Sequence, residues 1–336
     1  MKALVCTTPR QFDYINTEMP VTAEGETLLK IERIGICGTD LHAFEGTQPY
    51  FNYPRILGHE LAATIVETKA VGFTVGDKVT IIPYMHCGNC IACNSGKNNC
   101  CVNMRVFGVH IDGGMREFVT VPNHALLKSE GLSLDELALV EPLAIGAHAV
   151  KRATVTNGEF VLVIGAGPIG LGIAQFARIA GAHVIVVDVI DDRLQFCTTH
   201  VGVKHTINPL KQDVMEALKQ ITSNNMPTVV MDATGNLKAI NNAFAYLAHG
   251  GRYVLVGLQK EHISFSHPEF HKREATLMSS RNANVSDFEH VMDAIKNGLV
   301  QPANYITHKV TFSEVATQFE SWLNPNSKVI KAVVVF

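Results

Sequence analysis

The run Phe160-Val161-Leu162-Val163-Ile164-Gly165-Ala166-Gly167-Pro168-Ile169-Gly170 decides the fold. Five apolar residues predict a buried strand, GxGxxG predicts a tight turn, and Pro168 suits the first turn of a helix. In such a turn the first glycine permits the bend, and the second lets a pyrophosphate approach the backbone. The third lets helix and strand pack closely. The phosphates then meet free N–H groups at the helix N-terminus. Gly165, Gly167, Pro168, Ile169 and Gly170 are therefore the expected cofactor loop.

Downstream, the pattern keeps alternating. His183 to Asp188 reads as a strand, a helix starts near Asp191, and a short strand lies near Thr206. Thr228 to Asp232 is a strand followed by a helix to Ala248, and Arg252 to Gly257 and Thr276 to Ser280 complete the series. Six strands alternating with helices predict an α/β fold with a doubly wound parallel (Rossmann) sheet. Asp188 ends the second strand, where a carboxylate accepts from the adenosine ribose hydroxyls and repels a 2′-phosphate. NAD is therefore expected over NADP; a helix cap is the plainer role for Asp188. Arg193 can lie over the adenine or pair with a surface acid. Val256, Gly257 and Leu258 extend the expected cofactor-binding set.

Upstream, residues 1 to about 145 read as mostly β. Apolar runs at Thr27–Ile31, Ala62–Val66 and Lys78–Ile82 are separated by Gly, Pro and Asp turns, which suggests an irregular barrel-like domain. The tail has one helix, Phe288 to Asn297, and a strand-like run, Val329 to Phe336, expected to return to the first domain. The expected domains are a catalytic one, residues 1–146 with 286–336, and an NAD-binding one, residues 147–285.

A chain of 336 residues fits two domains. A net charge of -3 argues against nucleic-acid or anionic-membrane partners. There is no run long and apolar enough for a membrane span, and no signal-peptide pattern, so the cytoplasm is expected. Five of the eight cysteines fall in Cys87-Gly-Asn-Cys90-Ile-Ala-Cys93 and Cys100-Cys101. Cys87, Cys90, Cys93 and Cys101 can close a tetrahedral zinc shell with no open position, which marks a structural site. An iron–sulfur or redox loop is the alternative. Cys6 and Cys197 lie in apolar contexts and read as buried thiols.

A second donor set is dispersed: Cys37 within Gly35-Ile36-Cys37-Gly38-Thr39-Asp40-Leu41-His42, His59 and Glu60 after Gly58, and Glu141 before Pro142. These residue types bind zinc, and catalytic sites keep an open position. Taken singly, each has a bland reading: a buried thiol, a core histidine, a helix-start acid.

Together these motifs resemble the zinc-containing medium-chain dehydrogenases, over essentially the whole chain. The resemblance implies a GroES-like catalytic domain, NAD, and two zinc ions per chain. It implies Cys37, His59 and a carboxylate on the catalytic zinc. Glu141 stands where alcohol dehydrogenases place a second cysteine, which points to the polyol, threonine and sugar-acid branch, where Glu60 can also ligate. Thr39 and His42 match the family's proton relay, and Arg281 matches a substrate-contacting arginine of the polyol branch. Arg55, Arg105, His110 and Lys272 are weaker substrate candidates, with Arg55 and Lys272 expected as solvated charges.

The segments Thr47–Arg55, Gly108–Gly114, Pro268–Lys272 and Ser279–Ala283 resemble bacterial L-galactonate and L-gulonate 5-dehydrogenases. The implied reaction is NAD-linked oxidation of a hexonate C5 hydroxyl to D-tagaturonate or D-fructuronate, in sugar-acid catabolism. A sorbitol-type polyol dehydrogenase, an L-threonine dehydrogenase and a non-catalytic NAD-sensing protein are the rivals. By analogy with relatives, a homodimer or homotetramer is expected, paired along Val254 to Phe265.

Overall fold

A computed structural model describes every residue except Tyr50, a member of the Thr47–Arg55 run, which lies outside the described residues. Strands β1 (Lys2–Thr8), β2 (Gln11–Asn16), β3 (Glu26–Gly35), β4 (Arg55–Ile56), β5 (Glu60–Glu67) and β6 (Lys78–Ile81) open the chain. β7 (Tyr84–Met85), β8 (Arg105–Val106), β9 (Phe118–Pro122) and β10 (Leu126–Leu127) follow. Next come β11 (Phe160–Ile164), β12 (His183–Val187), β13 (His205–Ile207), β14 (Val229–Asp232), β15 (Arg252–Leu255) and β16 (Thr276–Ser279). β17 (Ile306–Thr311) and β18 (Lys331–Val335) come last. The described chain divides into two compact units, 1–142 with 284–336, and 143–283. The helix Val140–Arg152 runs unbroken through position 142, so no loop marks that boundary.

In the first unit, the main sheet runs β10-β6-β5-β3-β18-β17, with β9 also on β3. β3 and β5 are antiparallel, and their register sets Gly35 opposite Glu60. Alternating apolar residues bury one face of these strands: Leu29, Ile31 and Ile34 on β3, Leu61, Ala63 and Ile65 on β5, Val79 and Ile81 on β6. β18 lies between β3 and β17, antiparallel to the first and parallel to the second. The tail thus returns to the sheet that carries the dispersed donors.

In the second unit, six parallel strands run β13-β12-β11-β14-β15-β16. The order reverses between β11 and β14, and in open α/β sheets ligands bind beyond the strand C-termini at such a switch point. The helix Pro168–Ile179 packs on β11 and β12. The helix after β14 is shorter than expected: it spans Leu237–Ala243 and passes into a tight turn at Phe244–Tyr246. There the Phe244 ring stacks on Phe265 at 4.6 Å and meets the edge of Tyr253 at 4.8 Å. Aromatic packing therefore outweighs continued helix in this stretch.

The expected pairing edge is corrected. β15 lies between β14 and β16, with Val254 opposite Met278, so Val254 is interior. The edge strands of this sheet are β13 and β16. Among the described residues, no helix is long and apolar enough to cross a membrane.

Candidate metal centres and cofactor loop

Cys37 is the N-cap of the helix Gly38–Glu45. Its backbone N–H donates to Asp40 Oδ2 at 2.9 Å, and Asp40 Oδ1 accepts from the Gly58 N–H at 3.2 Å. One buried carboxylate therefore ties the Cys37 turn to the residue before His59. Glu60 begins β5 opposite Gly35, where a Cβ would meet Glu60 Oε2 at 2.0 Å. A glycine is required there to admit the carboxylate. The result is a cluster, buried at His59 and Glu60 and half-buried at Cys37, in which ligand atoms of the three residues all lie within 4.8 Å of one another.

Charge fills this pocket. Lys331 Nζ donates to Oε1 and Oε2 of Glu60, each at 2.7 Å, and to the Ile36 carbonyl at 3.1 Å. Lys331 is 2% exposed and Glu60 fully buried. Burial opposes the charge on Lys331, yet Glu60, Cys37 and Glu141 raise its pKa above the usual lysine range. Burial likewise opposes a charged His59, but Asp40, Cys37 and Glu141 raise it well above the usual histidine range. Glu141 lies outside the three-donor group and accepts a hydrogen bond from the Tyr84 hydroxyl. Burial pushes Glu141 up to about 7, with Glu60 adding to the rise and His59, Tyr84 and Lys331 opposing it.

A cation fits these donors. His59 Nδ1 is buried without a hydrogen bond among the described residues, 3.6 Å from Asp40 Oδ1. Lys331 already offsets the Glu60 charge, and the unbonded His59 nitrogen beside the half-buried Cys37 thiol is the part of the set that a metal would satisfy. Soft sulfur with imidazole and carboxylate suits zinc.

The four-cysteine loop is a second cluster. Cys90 Sγ lies 3.5 Å from Cys93 Sγ and 3.9 Å from Cys101 Sγ, and Cys87 and Cys101 are 3.5 Å apart. A tetrahedral shell with Zn–S bonds of about 2.3 Å needs sulfurs ~3.8 Å apart. All four are free thiols, and Cys100, beside them, is exposed. Backbone N–H groups of Cys93 and Val102 bring Cys90 down to about 6, while burial and the hydrogen bond with Cys90 raise Cys93 to about 11, so of this pair Cys90 is the one favoured as a thiolate.

In the second unit, Gly165 has φ +98°, and a Cβ on Gly170 would stand 1.8 Å from the Gly165 carbonyl. Gly167, the N-cap of the following helix, has open space where its Cβ would be. Asp188 Oδ2 accepts from the Ala166 N–H at 2.6 Å, and Oδ1 from the Ile190 N–H at 2.9 Å. The carboxylate thus braces the glycine loop. Pro168 and Ile169 open the helix, Arg193 sits in the last turn of the helix Asp191–Phe196, and Val256, Gly257 and Leu258 follow β15.

The remaining expected residues are placed as follows. Thr39 and His42 ride on the helix that Cys37 caps; Thr39 is half-buried, and the His42 side chain is 62% exposed with Thr47 Oγ1 3.3 Å from its Nδ1. Arg281 follows β16 in the second unit. Arg55 is corrected from a solvated charge: it is 20% exposed and pairs with Asp112 at 3.1 Å, tying Thr47–Arg55 to Gly108–Gly114. His110 Nδ1 accepts from the Val106 N–H at 2.9 Å. Arg105 and Lys272 are exposed. Sequence reasoning missed Asp40, Tyr84 and Lys331. The signal for Lys331 was a cation inside an otherwise apolar closing strand.

Residues 23–131 match the alcohol dehydrogenase GroES-like domain, and residues 168–297 match the zinc-binding dehydrogenase domain. The chain is 41% identical to L-galactonate-5-dehydrogenase of Escherichia coli K12, over 100% of this chain and 99% of that one. It belongs to the zinc-containing medium-chain alcohol dehydrogenase family. Within this family it is also 31% identical to a sorbitol dehydrogenase of Halalkalibacterium halodurans, over 94% of each chain. The crystal structure of an E. coli CFT073 alcohol dehydrogenase complexed with NADH superposes with a TM-score of 0.93, at 31% identity, over 100% of this chain and 99% of that one. The chain is thus a zinc-dependent NAD(P) dehydrogenase acting on CH–OH donors, with a GroES-like domain and a Rossmann sheet.

Proposed function

We propose that this dehydrogenase oxidises the C5 hydroxyl of a hexonate, L-galactonate or L-gulonate, to the keto-uronate, with NAD as acceptor. The convergence of Cys37, His59 and Glu60 carries the reaction type. The full-length likeness to the L-galactonate enzyme supports the substrate class. A homodimer or homotetramer in the cytoplasm is the expected working form.

Zinc, when bound, supplies Lewis-acid polarisation of the substrate hydroxyl, and NAD, when bound, supplies the hydride acceptor. Cys37, His59 and Glu60 hold the metal, with Glu141 the alternative carboxylate. Cys87, Cys90, Cys93 and Cys101 hold the structural ion. Thr39 takes up the hydroxyl proton as it gives up its own, and His42, three residues on and so on the same helix face, is the group that releases a proton to solvent. The Gly165–Gly170 loop and Val256–Leu258 bind the dinucleotide. Asp188 disfavours a 2′-phosphate, and Arg193 borders the adenine. Arg281, two residues beyond β16, is suited to a bidentate grip on the substrate carboxylate.

The neutral-polyol reading has one support, the likeness to sorbitol dehydrogenase. NAD reduction by zinc-replete protein with L-galactonate, L-gulonate, L-idonate, D-sorbitol and L-threonine separates the readings. Turnover on one hexonate alone is expected. Turnover on sorbitol or threonine alone rules out the hexonate assignment and keeps the reaction type.

A further inference from the structure

Asp232, at the C-terminal end of β14, is fully buried, and each of its oxygens is engaged. Oδ1 accepts from the backbone N–H of Thr234 at 3.1 Å and of Gly235 at 3.0 Å. Oδ2 accepts from the Thr234 hydroxyl at 2.8 Å. The main-chain carbonyl accepts from the N–H groups of Val256 and Gly257, both at 2.9 Å. One residue therefore organises two loops: the turn that leaves β14 and the turn that leaves β15.

The two loops interlock. A Cβ on Gly257 would stand 2.3 Å from the Gly235 nitrogen and 3.1 Å from Asp232 Oδ1. A Cβ on Gly235 would stand 2.5 Å from the Leu258 carbonyl. The two turns are thus packed backbone to backbone at their glycines. The same turn also meets the end of β11, just before the glycine loop, where the Ala233 N–H donates to the Ile164 carbonyl at 2.8 Å. A buried carboxylate needs such donors, since leaving it without them costs far more than leaving a neutral group unpaired.

The strand order says which part of the cofactor this serves. A dinucleotide lies across the reversal between β11 and β14, one half on each side. Asp188, the ribose-reading acid, ends β12 on one side; Asp232 ends β14 on the other. The adenosine half falls to the first side and the nicotinamide half to the second.

We propose that Asp232 is a positioning residue for the nicotinamide half of the cofactor: its carboxylate and carbonyl hold the Thr234–Gly235 and Val256–Leu258 backbones in the shape that receives that half. This rests on the NAD reading above. The experiment compares NADH with ADP, which occupies only the adenosine side, by titration on zinc-replete protein. Asp232→Ala is expected to weaken NADH about tenfold while ADP changes less than about twofold. The KM for NAD rises, and the KM for the substrate at saturating NAD stays. Asp232→Asn keeps an acceptor for both amides and restores NADH binding to within about threefold. Should Asp232→Ala fail to fold, Thr234→Val, which removes only one donor, is expected to weaken NADH about threefold with ADP unchanged. Unchanged NADH affinity, or equal losses of NADH and ADP, would overturn the proposal. Wild-type protein that binds neither ligand would instead sink the NAD reading itself.

Discussion

Lys331 Nζ stands 2.7 Å from both carboxylate oxygens of Glu60, across 271 residues of sequence, with neither side chain reached by solvent to any useful extent. Removing one partner of a buried pair leaves the other charge uncompensated, which costs about 3–5 kcal/mol. Lys331→Met is therefore expected to lower unfolding free energy by about that amount in denaturant titrations of the metal-free protein. Adding Glu60→Gln to it should return most of the loss, because the pair is then replaced by neutral groups. A double-mutant cycle that proves additive would show that the two residues act independently.

The four-cysteine loop predicts a local metal requirement. Cys93→Ser should cost one zinc equivalent per chain by atomic absorption and make the segment 87–101 the first site of proteolysis. Cys100→Ser, an exposed neighbour outside the cluster, should leave zinc content and cleavage as they are. Equal zinc loss in both variants would assign the shell differently.

Asp188 should govern the choice of dinucleotide. Asp188→Ser removes the acceptor that braces Ala166, so NAD affinity is expected to fall about tenfold or more, as for loss of a charged hydrogen bond. Discrimination against NADP should narrow further, since the repulsive charge is gone. An unchanged NAD to NADP ratio of kcat/KM would leave Asp188 a purely structural brace.

Asp135 gives a pH signature away from the metals. Its carboxylate bonds Arg33 Nε at 2.9 Å and the Lys309 ammonium. Burial opposes its charge, but Lys309 and Arg33 outweigh that and hold the group below its ordinary value of 3.8. A depressed folded pKa adds stability that is whole above the unfolded value and is lost as pH falls through the folded one. Asp135→Asn should thus cost about 1–2 kcal/mol near pH 7 and progressively less below about pH 4. A cost independent of pH across that range would mean packing, not charge, is what the substitution removes.

Local chemistry was legible in the sequence, and distant chemistry was not. The glycine loop and the four-cysteine loop each lie within one short segment, so their spacing carries their geometry. Cys37 and His59 were readable as a pair only through the motifs around them. The Tyr84 bond to Glu141 spans 57 residues and the Lys331 bond to Glu60 spans 271, and no periodicity encodes either. Asp232 read only as the end of a strand: its carboxylate bonds are local, to Thr234 and Gly235, but no spacing encodes that its carbonyl also meets a loop more than twenty residues on. The helix expected to reach Ala248 stopped at Ala243 because Phe244 packs against Tyr253 and Phe265, contacts that local propensity does not see.

The position of β18 between β3 and β17 also has a consequence for biosynthesis. When Glu60 is added to the growing chain its cation has not been made, and the slot beside β3 that β18 will fill stands open. Until 271 further residues are translated, the growing chain carries an acid with no partner and an unpaired strand edge. Premature capture of zinc by the nascent chain would thus meet an incomplete pocket, and the last strand to arrive is the one that closes it.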